Sequence, residues 1–519
     1  MQTFQVLKPC VRSRNGMVAA QNRHAAAAGA TVLERGGNAI DAAVVTALVL
    51  SIVEPWLSGV GGGGFLVRAD GRTGDVDTLD FNMRSAAAVD PSDYPLAENQ
   101  SGNWFNWPSV VDDRNVSGYS SICIPGAVAG FAAALERHGT MTWADALEPA
   151  IAFATRGFEV DWFAALSIST EAPALVRDPE TAALFLDQGR APSVGDSAHP
   201  HLRPMAKKAE MLKRLAQSGA RDFYEGEIAR LVTADLQQGG SVISAADMAS
   251  YQPTWNPAQT GRYRNYDVHV VPGLSGGPSF LDAMDRLSAL TTFGPETSDA
   301  DAALAYANAI RDTYQHRLTT LGHAARAASC TSHVSVVDRD GTMVALTNTL
   351  LSRFGSKVVL PNAGILMNNG MMWFDPRPAQ PNSIKGGVKP LANMCPIVLT
   401  QDGRPHLAIG AAGGRTIFPT VLQIVSSLVD FGASLEDAFH RPRIDASTPV
   451  IKVDIRAGAK VAATVGRLHP VERVDDTIYP VNFAIPSAVM RDDGGFVGMV
   501  HPTSPWSAVV AADDAAPAS

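Results

Sequence analysis

The spacing of apolar and polar positions changes along the chain, and each change predicts a different element. From Val18 to Val53 the chain is first Ala-rich and then almost wholly apolar, which predicts two helices separated at Gly36-Gly37. The second predicted helix is apolar on most faces, so we expect it to be buried. Asn38 is a suitable N-cap for it, with Asp41 three residues further on.

Strand-like and helical patterns then alternate. A strand, FLVRAD, is predicted after the glycines at 59–64, and residues 93–120 are typical of a loop. From Thr331 onwards the pattern favours strands and turns, and no fixed-period repeat is present. The further predicted helices are AVAGFAAALERHG, TWADALEPAIAFATRG, 207–217, 225–237, 300–328 and the region 417–440.

Composition excludes several classes of protein. The net charge is −9 and no run rich in lysine and arginine is present, which argues against a nucleic-acid partner. The start of the chain lacks an apolar signal segment, and the apolar run Ala42 to Val53 is shorter than the about 20 residues that span a bilayer. Four scattered cysteines fit a reducing compartment. We therefore expect a cytoplasmic protein with no membrane partner.

The glycine-rich loop SGVGGGGF matches G-x-G-x-x-G through Gly59, Gly61 and Gly64. The dinucleotide-binding fingerprint requires a strand before these glycines and a helix after them. Here the predicted order is the reverse. The loop is therefore interpreted as a tight turn with close backbone approach, and no organic cofactor or metal is expected.

Three adjacent side chains, Cys330, Thr331 and Ser332, are potential nucleophiles, and a strand-like pattern follows them. The stretch VSVVDRDGTMVALTNTL predicts a hairpin with a three-residue turn, in which Asp338 faces Thr342 and Thr331 faces Thr349. On spacing alone, a Thr/Val-rich edge hairpin with paired threonines explains this pattern.

The chemical alternative is an N-terminal nucleophile. A threonine hydroxyl needs a base to remove its proton, and a cut just before the threonine would free its own α-amine for that role. An α-amine with a pKa near 8 suits this task. No G-x-S-x-G elbow and no H-E-x-x-H motif offers another mechanism.

Several separate stretches, in order, resemble the γ-glutamyltransferase family of N-terminal-nucleophile hydrolases. The resemblance extends from about Gly16 to Val510, and its combination of motifs is far more specific than any one of them. The stretches are GGNAIDAA (36–43), EPWLSGVGGGGF (54–65), IPGAVAGF (124–131), TSHVSVVDRDG (331–341), GILMNN (364–369), MCPIVL (394–399), GAAGGR (410–415) and PRID (442–445).

The resemblance implies an α+β fold, a four-layer αββα sandwich, and a precursor that cuts itself between Cys330 and Thr331. Segment 1–330 would become a large subunit and 331–519 a small one, and the two would form one intertwined heterodimeric unit. Thr331 would be the nucleophile and Thr349 its supporting hydroxyl, while Ser332 would point away. The oxyanion donors correspond to the backbone N–H groups of Gly413 and Gly414.

This sequence departs from the family at the positions that bind the zwitterionic head of a γ-glutamyl group. The substituted positions are Asn82, Leu351, Gly370, Trp373, Ala392 and Asn393. These side chains lack the family's charge pairing, and burying a charged ligand end without a partner is costly. Arg84, Arg353 and Arg415 are candidates for a relocated carboxylate anchor, although each is also explained as a structural or surface arginine.

The sequence therefore predicts a self-processing amide hydrolase or acyltransferase acting on a small-molecule amide whose acyl group is not γ-glutamyl. This pattern is similar to family branches that act as acylases on glutaryl-type side chains. One alternative is a true γ-glutamyltransferase or glutathione hydrolase with a rebuilt head-group site. The other is a non-catalytic binding relative that never matures.

Overall fold

The structure is a computed structural model that describes residues 6–98, 108–196, 198–322, 329–479 and 481–514. Its strands in chain order are β1 (Val11–Ser13), β2 (Gly16–Ala20), β3 (Gly63–Ala69), β4 (Val76–Phe81), β5 (Phe158–Glu159), β6 (Leu202–Arg203), β7 (Thr254–Pro257), β8 (Gln259–Tyr263), β9 (Tyr266–Val270), β10 (Ser329–Asp338), β11 (Met343–Ser352), β12 (Ile397–Gln401), β13 (Arg404–Ala412), β14 (Ile444–Asp445), β15 (Ile451–Asp454), β16 (Val471–Val474), β17 (Ile485–Asp492), β18 (Gly495–Val500) and β19 (Ala508–Ala511).

Helices precede and follow these strands along the chain. They are α1 (Arg23–Glu34), α2 (Ala39–Val53), α3 (Ala127–His138), α4 (Trp143–Arg156), α5 (Trp162–Leu175), α6 (Pro179–Phe185), α7 (Ala206–Ser218), α8 (Asp222–Glu225), α9 (Glu227–Gln238), α10 (Ala245–Ala249), α11 (Gly277–Ser288), α12 (Asp299–Thr320), α13 (Ile417–Val429), α14 (Leu435–His440) and α15 (Gly458–Val465).

Two large sheets form the middle of the molecule. In the described ranges, the first has the strand order β1-β18-β17-β13-β12-β9-β8 and the second has the order β19-β2-β10-β11-β3-β4-β7. The sheets pack face to face, with β10 and β11 of the second against β13 of the first. Each sheet contains strands from both sides of position 330, so a chain cut there would remain one interleaved unit. The division into segments 1–330 and 331–519 itself stays a prediction.

The buried apolar side chains form three layers of core. One layer lies between the sheets and includes Val337 and Ala408. A second packs helices α1 to α9 onto the outer face of the second sheet, through residues such as Val334. A third packs α11 to α15 onto the first sheet, through residues such as Ile409. This order confirms the predicted four-layer αββα sandwich.

Most of the predicted helices are present, and one boundary is wrong. Residues 18–20 were predicted to begin the first helix but lie in β2, between β10 and β19. Alanine favours helices in isolation, yet burial between two strands outweighs that local preference. Helix α12 ends at Thr320, and residues 323–328 of the predicted helix 300–328 lie outside the described residues.

Helix α2 confirms the prediction of a buried apolar helix, because all its residues except Val53 are buried. Asn38 caps it, and Asn38 and Asp41 form a reciprocal capping box. Helix α2 therefore belongs to the core. Among the helices of the described ranges, none is long and apolar enough to cross a membrane.

Candidate active site

The hairpin that carries Thr331 lies at the centre of its sheet. Strand β10 pairs with β11, and the two are flanked by β2 and β3. Thr331 is the partner of Thr349, as the turn spacing predicted, and the Asp338 N–H donates to the Thr342 carbonyl at 3.1 Å. The interpretation as an edge hairpin is wrong, since strands pair on both sides.

Alternation along β10 decides which hydroxyl reaches the inner face of the sheet. Val334 packs into the helical layer, whereas Val337 packs between the sheets. With a period of two, Thr331 lies on the inner face and Ser332 on the helical side. The hydroxyl of Ser58 donates to that of Ser332 at 2.9 Å, on the helical side. The side chains of Ser332 and Thr331 therefore lie on opposite faces of the sheet.

Thr331 is buried, and its Oγ1 lies 3.3 Å from Oγ1 of Thr349. Thr349 Oγ1 also accepts a hydrogen bond from the N–H of Leu351 at 2.8 Å. The register shifts between Cys330 and Thr331, so that Leu350 is the extra residue of a β-bulge. Leu351, which pairs with Cys330, has a φ of 91°, a costly value for a leucine. Backbone strain is therefore stored directly opposite the peptide bond predicted to break.

The histidine next to this site is structural. His333 lies between the hydroxyls of Thr347 at 2.8 Å and Ser335 at 3.0 Å. Complete burial lowers the pKa of His333 to about 3, so the ring is neutral at physiological pH. Both ring nitrogens are bonded within the sheet core. His333 therefore positions β10 and does not supply the base.

Gly410 on β13 makes room for this histidine. A Cβ at position 410 would lie 2.3 Å from Cε1 of His333. We expect Gly410→Ala to lower the free energy of unfolding by about 1–3 kcal/mol, the usual cost of overpacking. Thermal denaturation measures the effect, with Gly294→Ala as the control, because a Cβ there meets no atom within 4 Å. Equal stability losses in the two variants would contradict the steric account.

A glycine turn faces the end of the hairpin. Strand β13 ends at Ala412, Gly413 and Gly414 follow with φ of 146° and 62°, and helix α13 begins at Ile417. The Gly413 carbonyl accepts hydrogen bonds from Thr416, through the N–H at 3.3 Å and the hydroxyl at 3.0 Å. In the described part of the chain, neither glycine N–H donates to another backbone group. These N–H groups can therefore serve as oxyanion donors.

A cavity of about 450 Å³ connects the hydroxyl and the glycine turn. Both Thr331 and Gly413 line it, and its size suits a small organic ligand. The other lining residues are Gln21, Leu57, Phe163, Thr170, Glu171, Arg353, Ala412, Arg415, Thr416, Asp445, Lys452, Thr477, Ile478, Tyr479, Val481, Asn482, Phe483, Ile485, His501, Thr503, Ser504 and Pro505.

The wall of the cavity that contains Thr331 also contains cationic side chains. Arg415 is buried against the ring of Tyr314, with Cζ 5.3 Å from the ring centroid, and burial lowers its pKa to about 9. Arg353 donates to Thr170 Oγ1 at 3.0 Å, and Lys452 donates to Asn482 at 2.9 Å. The cavity thus offers positive charge for a ligand carboxylate.

The third candidate anchor is elsewhere. Arg84 donates to the Asp247 carbonyl at 3.1 Å and to the Ser250 hydroxyl at 2.6 Å, and it lies over the ring of Tyr251. It does not line the cavity that contains Thr331. Arg84 therefore has a structural role, while Arg353 and Arg415 stay candidates for the anchor.

The wall also contains two carboxylates. Asp445 is buried, and its oxygens accept hydrogen bonds from the Ser447 N–H at 3.2 Å and hydroxyl at 2.9 Å. Burial raises the pKa of Asp445 above its usual range. Glu171 forms an ion pair with Lys357 at 3.5 Å. Both carboxylates therefore contribute negative charge to the cavity wall.

None of the six predicted head-group residues lines this cavity, although the N–H of Leu351 donates to Thr349 beside Thr331. All are buried, and three belong to the core between the sheets: Leu351, Trp373 and Ala392. Asn82 donates to the Pro390 carbonyl at 3.1 Å, and Asn393 lies 3.5 Å from the buried guanidinium of Arg317. Their assignment to substrate binding stays a prediction.

Sequence reasoning missed several polar residues of the cavity wall. Asp445 and Lys452 are partners across strands β14 and β15, and Gln21, which lines the same cavity, lies more than 400 residues before them in the chain. Asp445 is the last residue of the stretch PRID, which supported the family resemblance but gave Asp445 no role of its own. Gln21 stands between a strand and the N-cap Asn22, a position at which a polar residue carries no distinctive signal.

The chain is similar to known proteins over most of its length. The family model described as Gamma-glutamyltranspeptidase matches residues 25–328 and 322–511. The chain is 32% identical over 507 residues to Acylase ACY 1 proenzyme of Pseudomonas sp. (strain SE83), covering 90% of this chain and 88% of that protein. It is 30% identical over 487 residues to Glutathione hydrolase proenzyme of Escherichia coli (strain K12), and this match covers 83% of this chain and 81% of that protein.

A solved structure shares the fold. The cephalosporin acylase from Bacillus halodurans superimposes with a TM-score of 0.84 at 24% identity, covering 98% of both chains. At this level of identity the likeness concerns the fold alone. It supports the αββα arrangement of the sheets and helices described above.

Proposed function

Because the chain belongs to the γ-glutamyltranspeptidase family of amide hydrolases and acyltransferases, we propose that it matures by cutting itself before Thr331 and then uses this residue as an N-terminal nucleophile. One observation carries the proposal. The hydroxyl of Thr331 lies 3.3 Å from that of Thr349 and lines the same cavity as Gly413. The proposed nucleophile and an oxyanion donor thus line one ligand-sized space, and the supporting hydroxyl lies directly beside the nucleophile.

The maturation step begins with attack of the Thr331 hydroxyl oxygen on the carbonyl carbon of Cys330. The C–N bond breaks, the nitrogen takes up the proton, and an ester joins residue 330 to the Thr331 oxygen. Water then hydrolyses that ester and leaves a free α-amine on Thr331. The strained Leu351 and the bulge at this bond support the proposal, as do the relatives named proenzymes.

In the mature enzyme, the α-amine of Thr331 removes the hydroxyl proton while the oxygen attacks the substrate carbonyl. The N–H groups of Gly413 and Gly414 stabilise the negative charge on the carbonyl oxygen. The α-amine then returns the proton to the leaving amine, and an acyl ester remains on Thr331. Water or a second amine releases the acyl group. Thr349 orients the attacking hydroxyl throughout.

The proposed acyl group carries a carboxylate and lacks an α-amine. Arg353 and Arg415 line the cavity beside Thr331 and supply the positive charge. The family positions that would bind the amine are Gly370 and Trp373, which have no charge. A glutaryl-type amide therefore fits better than its γ-glutamyl counterpart.

Asp445 supports a second candidate function. Its carboxylate lies in the cavity wall, where it could pair with the α-amine of a γ-glutamyl group. Its raised pKa disfavours the charged form, which weakens such a pair. The second candidate is hydrolysis or transfer of a γ-glutamyl group with Asp445 as the amine partner.

Turnover of matched anilides tests these candidates. We expect glutaryl anilide to exceed γ-glutamyl anilide in kcat/KM by tenfold or more, since a lost charge pair is worth about 2–5 kcal/mol. Arg415→Met is expected to remove the preference for glutaryl anilide over pentanoyl anilide. The second candidate predicts comparable turnover of the γ-glutamyl anilide and its selective loss in Asp445→Asn. Glutathione hydrolysis as efficient as that of any other amide would contradict the preferred acyl group.

A further inference from the structure

Gln21 is a cavity residue to which the proposed reaction gives no role. Strand β2 ends at Ala20, the partner of Val334 on β10. One residue further on, Gln21 lies beside the end of β10 that carries Thr331. It lines the same cavity as Thr331. The strand register thus delivers a carboxamide to the wall of the reaction space.

The side chain of Gln21 is only 4% exposed. Within the described ranges, neither its Nε2 nor its Oε1 has a hydrogen-bond partner. In a buried carboxamide, the nitrogen and the oxygen ordinarily both form hydrogen bonds, because a buried polar atom without a hydrogen bond is energetically unfavourable. The carboxamide of Gln21, a residue of the cavity lining, therefore has a donor and an acceptor that no described group of the protein uses.

Another buried glutamine shows what a structural role requires. Gln423 is 6% exposed, and its Nε2 donates to the carbonyls of Pro419 and Ile444 at 2.7 and 2.8 Å. Its Oε1 accepts the Ile444 N–H at 2.9 Å. Gln423 thereby ties helix α13 to strand β14. Gln21 makes no comparable tie within the described chain.

The neighbour of Gln21 holds the backbone in place. Asn22 caps helix α1 by accepting the His24 N–H at 2.9 Å, and its carbonyl accepts the Ala26 N–H at 3.0 Å. Asn22 Nδ2 also lies 3.4 Å from a carboxylate oxygen of the buried Glu54. The backbone at position 21 is therefore held by the pairing of Ala20 on one side and the cap at Asn22 on the other, and the Gln21 side chain makes no hydrogen bond within the described chain.

We propose that Gln21 forms a subsite for a second amide of the substrate, separate from the amide that is cleaved. Its Nε2 donates to the carbonyl oxygen of that group and its Oε1 accepts an N–H from it. The arrangement rests on the proposed function, because Thr331 defines the reaction space. The second amide belongs either to the acyl group or to the leaving amine.

Matched substrates distinguish these two sources. On the acyl side, the anilide of 5-amino-5-oxopentanoic acid is compared with the anilide of 5-methylhexanoic acid. On the amine side, the glutaryl amide of glycinamide is compared with that of isobutylamine. Each pair replaces a carboxamide by an isopropyl group of similar shape. The readout is the ratio of kcat/KM within each pair, in matured protein checked by intact mass.

We expect the wild type to prefer the carboxamide member of one pair by about tenfold or more, since an apolar isostere leaves Gln21 unbonded. Gln21→Leu is expected to bring that ratio to within threefold of one, and Gln21→Glu, which keeps only the acceptor, to retain part of it. Gln238→Leu is the matched control, on the exposed end of α9, and keeps the wild-type ratio. A wild-type ratio near one in both pairs, or a ratio unchanged in Gln21→Leu, would overturn the subsite.

The subsite and the proposed function fail in different ways. If the wild-type chain stays uncut, the proposed function is wrong, and the same pairs are compared as equilibrium ligands by calorimetry. A preference for the carboxamide member that disappears in Gln21→Leu then still supports the subsite. Equal affinities overturn it. If the chain is cut and active but the ratios do not depend on Gln21, only the subsite is wrong.

Discussion

Thr331→Ala is expected to give an uncut chain of 54.7 kDa that hydrolyses no amide. In the proposed function, the substitution removes the oxygen that attacks both the Cys330 carbonyl and the substrate. We expect a loss in turnover on the order of 10⁴-fold or more, as for removal of other catalytic nucleophiles. Denaturing electrophoresis and an anilide assay measure the two effects.

Neighbouring substitutions serve as controls for this variant. Cys330→Ala is expected to be cut normally, because residue 330 contributes only its carbonyl. Ser332→Ala is also expected to mature, since the Ser332 hydroxyl bonds Ser58 on the helical side of the sheet. Thr331→Ser retains a hydroxyl and should still be cut. An uncut Cys330→Ala or Ser332→Ala protein that is otherwise folded, or a Thr331→Ala protein that still divides into two fragments, would contradict the assignment.

The second large effect concerns the glycine turn. Gly414 has a φ of 62°, which proline cannot adopt, and proline also removes the N–H. We expect Gly414→Pro to lower kcat by about 10²–10³-fold with a smaller change in KM, the usual result of losing an oxyanion donor. Steady-state kinetics on matured protein gives this split.

Alanine variants distinguish the effect of backbone strain in the turn from the effect of losing the N–H of Gly414. Gly414→Ala keeps the N–H and carries the backbone cost of a positive φ. Gly403→Ala carries a similar cost at φ 73°, in the turn between β12 and β13, where a Cβ meets no atom within 4 Å. We expect Gly403→Ala to be as active as the wild type. Unchanged kcat in matured Gly414→Pro would remove the turn from the mechanism.

Local sequence patterns were sufficient for the hairpin that carries the nucleophile. A short turn around Gly341 and strict alternation set the register, and the structure has the predicted pairs Thr331–Thr349 and Asp338–Thr342. The turn and the alternation both depend on residues close together in the chain, so the sequence alone is enough to predict the pairing of the two strands. The glycine turn at 413–414 was not predicted from the local pattern but from the resemblance to the family's motifs.

Local patterns were insufficient where packing between distant segments decides the structure. Residues 18–20 follow an Ala-rich helical pattern but form a strand, because β10 and β19 pair with them on either side. The cavity wall was missed for a similar reason. Arg84, Arg353 and Arg415 were candidates on charge alone, and only the structure shows that Arg353 and Arg415 line the cavity with Thr331 whereas Arg84 does not. Gln21 carried no signal at all.

The most direct test of this account is the intact mass and N-terminal sequence of the purified wild-type protein. A self-cut chain predicts two fragments, the smaller of which begins TSHVSVVD at Thr331. A single chain of 54.7 kDa would contradict maturation. A small fragment that begins at Cys330 or Ser332 would contradict the assignment of Thr331 as the nucleophile.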